Sequence, residues 1–140
     1  MTLELHATPE DVMRAVEALQ AFGQTHHVAE KTLFGLTLAL EESGSNIVNH
    51  ALRRDARQTF RVTLEHTGSA VVIELRDRGP RFDPTRTPVR EQVANDDDRP
   101  PGGWGIQLVR RYTDEVCYRR EGDENVLRLT RRLSAPTGQK

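Results

Sequence analysis

The stretch ALEESGSNIVNHA, residues 39–51, sets two carboxylates, two amides and a histidine among small and apolar residues. Side chains at positions i, i+4 and i+8 share one face of an α-helix, so Glu42, Asn46 and His50 form a polar line. The residues of an apolar stripe beside this line are Leu36, Leu40, Ile47 and Ala51. The pattern predicts a helix over residues 29–52 whose polar line is either solvated or lines a site.

Length and composition limit the kind of protein that carries this helix. The chain has 140 residues, which fits one domain of ordinary size, so we expect a single domain over residues 1–140. A formal net charge of −1 gives no general reason to expect direct binding to nucleic acid. Cys117 is the only cysteine, which excludes an internal disulfide and favours a reducing compartment. Without a signal peptide pattern or a long apolar run, we expect a soluble cytoplasmic protein with no membrane partner.

The segments around the long helix predict strands on both sides of it. Leu3 and Leu5 alternate with polar residues as in a short strand, and Thr8-Pro9 then starts a helix of about 9–26. After the long helix, residues 60–65 and 70–77 have the alternating or β-branched character of a hairpin.

The C-terminal half contains a long loop, a short helix and a second pair of strands. Prolines, glycines and acidic residues dominate residues 78–103, and a short helix follows at 106–112. Two strands at 113–121 and 124–133 meet at a turn around Gly122-Asp123. The whole order favours an α+β fold, a two-layer α/β sandwich with helices on one face of a mostly antiparallel mixed sheet.

The first of two glycine-bearing segments is Asp77-Arg78-Gly79, followed by Phe82, at the end of a predicted strand. An aspartate there can accept a hydrogen bond from an exocyclic amine in an apolar slot, and Gly79 lets the backbone turn beside a flat ring. The alternative is an ordinary turn in which Gly79-Pro80 ends the strand.

The second segment, Gly102-Gly103-Trp104-Gly105-Ile106, runs directly into a predicted helix. Backbone N–H groups before a helix can bind phosphate oxygens, although the same glycines also suit a flexible loop. No Walker A loop is present, because the only lysines are Lys31 and Lys140 and neither follows such a motif.

With these three motifs the chain resembles the GHKL ATPase superfamily and, within it, the small bacterial anti-sigma factor serine/threonine kinases. Residues 42–50 resemble the first box of that family, residues 77–84 resemble the second, and residues 102–106 resemble the third. In the family the third box closes a nucleotide lid on the phosphates, and in this chain the lid is expected at about 84–103. The motifs occur in the family's order and on the expected elements, and the resemblance covers nearly the whole sequence.

The resemblance implies ATP or ADP and Mg²⁺ as cofactors. Asn46 would bind Mg²⁺ through its amide oxygen, and Asp77 would accept a hydrogen bond from the adenine amine. Glu42, one turn before Asn46, would deprotonate or orient a hydroxyl near the γ-phosphate. The other positions that the resemblance places in the ATP site are His50, Gly79, Phe82, Gly102, Gly103, Gly105 and Ile106.

Two assignments require a choice between neighbouring residues. Glu41 is the alternative base, but it lies about 100° around the helix from Glu42 and its i+4 partner is a serine, so we prefer Glu42. In the last strand, where relatives often carry a threonine near the adenine, the candidates are Asn125 and Thr130, and both stay open.

The expected function is that of an ATP- and Mg²⁺-binding anti-sigma factor with serine/threonine kinase activity. Its expected partners are a small anti-sigma factor antagonist, which it phosphorylates, and a sigma factor, with a homodimer as a further possibility. The alternative is a binding module without catalysis whose nucleotide state selects its partner. A histidine kinase output domain is a third option, but it requires a helical module with an acceptor histidine.

Overall fold

Residues 1–86 and 105–133 are described by the computed structural model of this chain. Within them the predicted order of elements is confirmed: β1 (Thr2–His6), α1 (Pro9–Thr25), α2 (Glu30–Asn46), β2 (Thr59–His66), β3 (Ala70–Asp77), α3 (Gly105–Arg111), β4 (Glu115–Glu121) and β5 (Glu124–Arg132). Most of the predicted lid at about 84–103 lies outside the described residues. None of the helices in the described ranges is long and apolar enough to cross a membrane.

The two long helices form where the sequence predicts them, but the second changes type before its end. Thr8 caps α1, since its hydroxyl accepts a hydrogen bond from the Asp11 backbone N–H at 3.1 Å. α2 is α-helical only to Asn46, and Ile47–Ala51 forms a π-helix. Because a π-helix has i→i+5 bonds, the predicted i+4 line from Asn46 to His50 does not continue with α-helical geometry.

The five strands form one sheet in the order β1-β2-β3-β5-β4. All four pairings among these strands are antiparallel, so the described sheet contains no parallel pair that would make it mixed. The predicted α+β class with a mostly antiparallel sheet is confirmed. β3 is central, and its last residue, Asp77, pairs with Phe60 of β2 and Asn125 of β5.

One face of the sheet and the helices enclose the core. Successive side chains of a strand point to opposite faces, and on β3 the helix-facing set is Val71, Ile73 and Leu75, each at most 1% exposed. Leu36 and Leu40 of α2 belong to the same buried cluster. Asp77 continues the helix-facing set by one more position, so the fold places a carboxylate at the edge of the core.

The other face of the sheet carries ion pairs. Arg76 on β3 contacts Glu74 at 3.0 Å, Glu121 at 2.9 Å and Glu124 at 3.1 Å. Arg61 on β2 contacts the same Glu124 at 2.7 Å. Charged side chains thus occupy this face, whereas the helices pack on the opposite face, as predicted.

Candidate functional site

A narrow cleft lies between the end of α2 and the adjoining ends of β3 and β5. The residues lining it are Ser43, Asn46, Ile47, Leu75, Asp77, Phe82, Pro84, Tyr118, Asn125 and Leu127. Asn46, predicted from the first motif, therefore lies together with Asp77 and Phe82, which were predicted from the second. The cavity holds about 20 Å³, room for a water molecule, so a flat ring enters only if a wall of the cleft moves outward.

Asp77 is the buried acid of this cleft and is 4% exposed. Its Oδ1 accepts hydrogen bonds from the Gly79 backbone N–H at 2.8 Å and from Asn125 Nδ2 at 2.9 Å. Burial raises the pKa of Asp77 above its ordinary value, and the hydrogen bonds from Asn125 and Gly79 oppose that rise. Because Oδ2 accepts no hydrogen bond from the part of the chain described, one carboxylate oxygen is available to a donor in the cleft.

Asn125 is the last-strand residue that lies in the cleft. Its Oδ1 accepts hydrogen bonds from the Phe82 backbone N–H at 3.1 Å and from the Tyr118 hydroxyl at 2.6 Å, while its Nδ2 binds Asp77. Thr130, the other candidate, does not line the cleft. It is an odd number of residues away from Asn125 in β5, so its side chain points to the opposite face of the sheet. Of the two candidates, Asn125 is therefore the one whose side chain lies in the cleft.

Gly79 lies where the loop after β3 meets the end of the π-helix. A Cβ at this position would lie 2.5 Å from the Ala51 backbone oxygen, so only glycine fits without a shift of the backbone. Gly79 does not line the cleft, and the structure gives a reason for glycine other than the predicted turn beside a flat ring. The close approach holds the loop after Asp77 against the π-helix.

Glu42 and Glu41 differ in their surroundings. Glu42 is half-buried, and Glu41 is exposed. Burial raises the pKa of Glu42, the neighbouring Glu41 charge raises it further, and His50 lowers it. The Glu42 carboxylate packs against Gly105 at the start of α3 so closely that a methyl group on that glycine would overlap it. A half-buried carboxyl with a raised pKa is a better proton acceptor than an exposed one.

Asn46 and His50 occupy different environments. Asn46 is 9% exposed and lines the cleft, and its side-chain amide has no hydrogen-bond partner within residues 1–86 and 105–133. His50 is exposed on the π-helix, with its ring stacked on Phe82 at 5.7 Å between centroids. Because no three His, Cys, Asp or Glu side chains of the described chain lie close enough to hold a metal, Asn46 could bind Mg²⁺ only together with ligand oxygens and water.

The predicted phosphate-binding segment is only partly described. Gly102 and Gly103 lie outside the described residues, whereas Gly105 and Ile106 form the start of α3. The Ile106 side chain is 8% exposed and belongs to the hydrophobic core, so only its backbone is available for phosphate.

Sequence reasoning missed three side chains of the site. Tyr118 lines the cleft, Arg120 donates to the Gly79 backbone oxygen at 2.8 Å, and Ser43 lines the cleft beside Asn46. Strand alternation in β4 places Tyr118 and Arg120 on the same face, which was the available signal. Strand alternation alone does not reveal which face of β4 meets the cleft.

Comparison with known proteins identifies the family. The profile of the family described as histidine kinase-like ATPase domain matches residues 5–131. The chain belongs to the histidine kinase-like ATPase domain family. This ATPase domain is 32% identical over 129 residues to serine/threonine-protein kinase BtrW from Bordetella bronchiseptica, a match that covers 92% of this chain and 91% of BtrW. The resemblance to the GHKL superfamily and its anti-sigma kinase type is confirmed.

A solved structure supports the fold of this ATPase domain. The crystal structure of the RsbU and RsbW domains of Rv1364c from Mycobacterium tuberculosis superposes with a TM-score of 0.70 and 18% sequence identity. The match covers 97% of this chain and 32% of that chain, so the ATPase domain spans about a third of it. At this identity the likeness shows a shared fold.

Proposed function

We propose that this ATPase domain binds ATP or ADP with Mg²⁺ and is an anti-sigma factor with serine/threonine kinase activity that phosphorylates a small anti-sigma factor antagonist. The observation that carries the proposal is one cleft that contains the buried Asp77 carboxylate and the Asn46 amide, which has no hydrogen-bond partner among the described residues. Glu42 lies one helical turn before Asn46. The similarity to the serine/threonine kinase BtrW favours a protein hydroxyl as the acceptor.

The adenine amine would donate to Asp77 Oδ2, because Oδ1 is already occupied by Gly79 and Asn125. The apolar walls of the cleft, among them Leu75 and Leu127, would contact the faces of the base. For the base to enter, the wall formed by Phe82 and Pro84 would move outward, since the cavity holds only about 20 Å³.

The phosphates would extend from the base toward Asn46 and the start of α3. Mg²⁺, when bound, would neutralise charge on the phosphate oxygens. Asn46 would supply an amide oxygen to it, and Gly105 would supply backbone groups to phosphate. His50, on the exposed surface of the π-helix, would reach phosphate from the same side.

Glu42 would serve as the base in the transfer step. A serine or threonine hydroxyl oxygen of the antagonist attacks the γ-phosphorus, its proton goes to the Glu42 carboxylate, the bond between the γ-phosphorus and the bridging oxygen breaks, and ADP leaves. The raised pKa of Glu42 suits this proton transfer, and the exposed Glu41 has no comparable environment.

The test is to incubate this protein with ATP, Mg²⁺ and an antagonist encoded by a neighbouring gene, and to measure phosphate incorporation into the antagonist by mass spectrometry. Glu42→Ala should reduce transfer by roughly 10²- to 10⁴-fold and leave ADP affinity unchanged, while the matched control Glu41→Ala should alter neither. If wild type binds ATP but phosphorylates no antagonist, and Glu42→Ala still binds the partner, the protein is a nucleotide-dependent binding module. A binding assay with a sigma factor tests the second expected partner, and sedimentation tests the expected homodimer.

A further inference from the structure

Asn125 uses its whole hydrogen-bonding capacity within the protein. An asparagine side chain has two N–H donors and one carbonyl oxygen with two lone pairs. The donors bind Asp77 Oδ1 and the Pro80 backbone oxygen, each at 2.9 Å. The oxygen accepts from the Phe82 backbone N–H at 3.1 Å and the Tyr118 hydroxyl at 2.6 Å. At 4% exposure, no strong contact remains for a ligand.

We propose that Asn125 is a positioning residue for base selection, which fixes the Asp77 carboxylate so that Oδ2, and only Oδ2, faces the base. It fixes the loop 79–82 at the same time, because its contacts reach Pro80 and Phe82. The proposal deepens the proposed function and rests on it. A purine with an amine at this edge can donate to Oδ2, whereas one with a carbonyl there meets a second acceptor.

The arrangement differs from direct contact by a last-strand residue. If Asn125 contacted the base itself, part of its amide would face the cleft without a protein partner. The Arg120 guanidinium, at 3.2 Å from Asn125 Oδ1 and 2.8 Å from the Gly79 backbone oxygen, adds a further constraint from β4. Asn125 therefore acts on the ligand through Asp77 and the loop.

The test compares ADP with inosine diphosphate, which carries a carbonyl in place of the amine, by calorimetry. Wild type should prefer ADP. Asn125→Asp keeps the size but removes both donors, so ADP affinity should fall about tenfold to a hundredfold and the preference over inosine diphosphate should shrink toward unity. Thr130→Val, on the same strand but the opposite face, is the matched control and should keep both values.

An Asn125→Asp protein that keeps the wild-type ratio of ADP to inosine diphosphate affinity overturns the proposal, even if it is less stable, because a merely structural role lowers the melting temperature without changing that ratio. If Asn125→Asp does not fold, Asn125→Thr is measured with the same two nucleotides and the same criterion. If wild type binds neither nucleotide, the proposed function itself is wrong, which is a separate outcome.

A second observation concerns Ser43, whose hydroxyl is buried in the wall of the cleft. Ser43 is 1% exposed, and its Oγ has no hydrogen bond within residues 1–86 and 105–133. Buried polar atoms are normally paired, so an unpaired hydroxyl that lines a cavity points to a group supplied from outside the protein.

We infer that the Ser43 hydroxyl donates a hydrogen bond to the ring nitrogen of the purine adjacent to its exocyclic amine. The amine and this nitrogen form one edge of adenine, so Asp77 and Ser43 would bind the two neighbouring groups of that edge. This inference also rests on the proposed function, but it depends on the unpaired hydroxyl and not on Asn125.

The test uses ADP and an ADP analogue that has carbon in place of ring nitrogen N1. Wild type should bind the analogue about threefold to tenfold more weakly than ADP, and Ser43→Ala should bind both equally. Ser45→Ala, on the same helix, is the control and should retain the wild-type preference. A Ser43→Ala protein that still prefers ADP to the analogue by the wild-type factor overturns the inference.

Discussion

Asp77→Asn replaces one atom of the buried cluster at the end of β3 and should weaken ADP binding strongly. The new side chain must keep its oxygen at the Oδ1 position, because two donors converge there, the Gly79 backbone N–H at 2.8 Å and Asn125 Nδ2 at 2.9 Å. Its NH₂ group then takes the place of Oδ2 and faces the cleft. An acceptor for the adenine amine becomes a donor, and the charge is lost.

The size of the effect follows from the number and type of bonds changed. One hydrogen bond to a charged group is removed, which corresponds to about 1.5–3 kcal/mol, or roughly tenfold to a hundredfold in the dissociation constant for ADP. The two bonds at Oδ1 are kept, so the loop at Gly79 should stay in place.

The stability of the unliganded protein should change in the opposite direction. Burial raises the pKa of Asp77 in the folded state above its ordinary value, so the protonated carboxyl favours folding, and this contribution to stability is lost as the pH rises through the folded-state pKa. Asparagine carries no charge. Asp77→Asn should therefore be at least as stable as wild type at pH ~7, and the difference should vanish in acid, below the unfolded-state pKa.

The assay combines ADP calorimetry with urea unfolding at neutral and acid pH. Asp83→Asn is the matched control, because Asp83 undergoes the same chemical change in the same segment but binds Thr85 and does not line the cleft. An Asp77→Asn protein that binds ADP as tightly as wild type would refute the assignment of Oδ2. A loss of both affinity and stability would refute the argument that the network at Oδ1 survives.

Three further predictions concern the helix α2 and its contact with α3. Asn46→Ala should lose the Mg²⁺-dependent part of ATP affinity, measured by calorimetry with and without Mg²⁺, and equal affinity under both conditions in wild type would contradict it. Gly105→Ala should reduce phosphate transfer in the mass spectrometric assay, because the added methyl group displaces the Glu42 carboxylate; unchanged transfer would contradict this. Glu42→Gln should raise the free energy of unfolding at neutral pH and not in acid, because the raised pKa of Glu42 makes its ionised form unfavourable in the folded state; urea unfolding that shows no pH-dependent gain would contradict it.

The elements of the fold were predictable because their signals are local. The helix around Glu42 and the hairpin that ends at Asp77 follow from periodicity within each segment. The change to a π-helix at Ile47–Ala51 has no such local signal, and its last residue, Ala51, contacts Gly79, which is distant in the sequence. His50 lies within this π-helix, where its ring stacks on Phe82 and its proximity lowers the pKa of Glu42.

The motifs of the site could be predicted from the sequence, but the hydrogen bonds around Asp77 could not. Asp77 and Asn46 could be named from their segments. The hydrogen bonds from Tyr118 to Asn125 and from Asn125 to Asp77, however, connect residues from three strands. Only the register of β3 with β5 shows that Asn125 stands opposite Asp77, whereas Thr130 does not. Register depends on pairing across the sheet, which a single sequence does not determine.

The most direct test of the central claim is a crystal structure of this chain with ADP and Mg²⁺. We expect the base to lie in the cleft with its amine within hydrogen-bond distance of Asp77 Oδ2, the Asn46 amide oxygen to bind the metal, and Phe82 and Pro84 to have moved outward. Nucleotide bound elsewhere on the chain, or a base in the cleft whose amine does not contact Asp77, would contradict it.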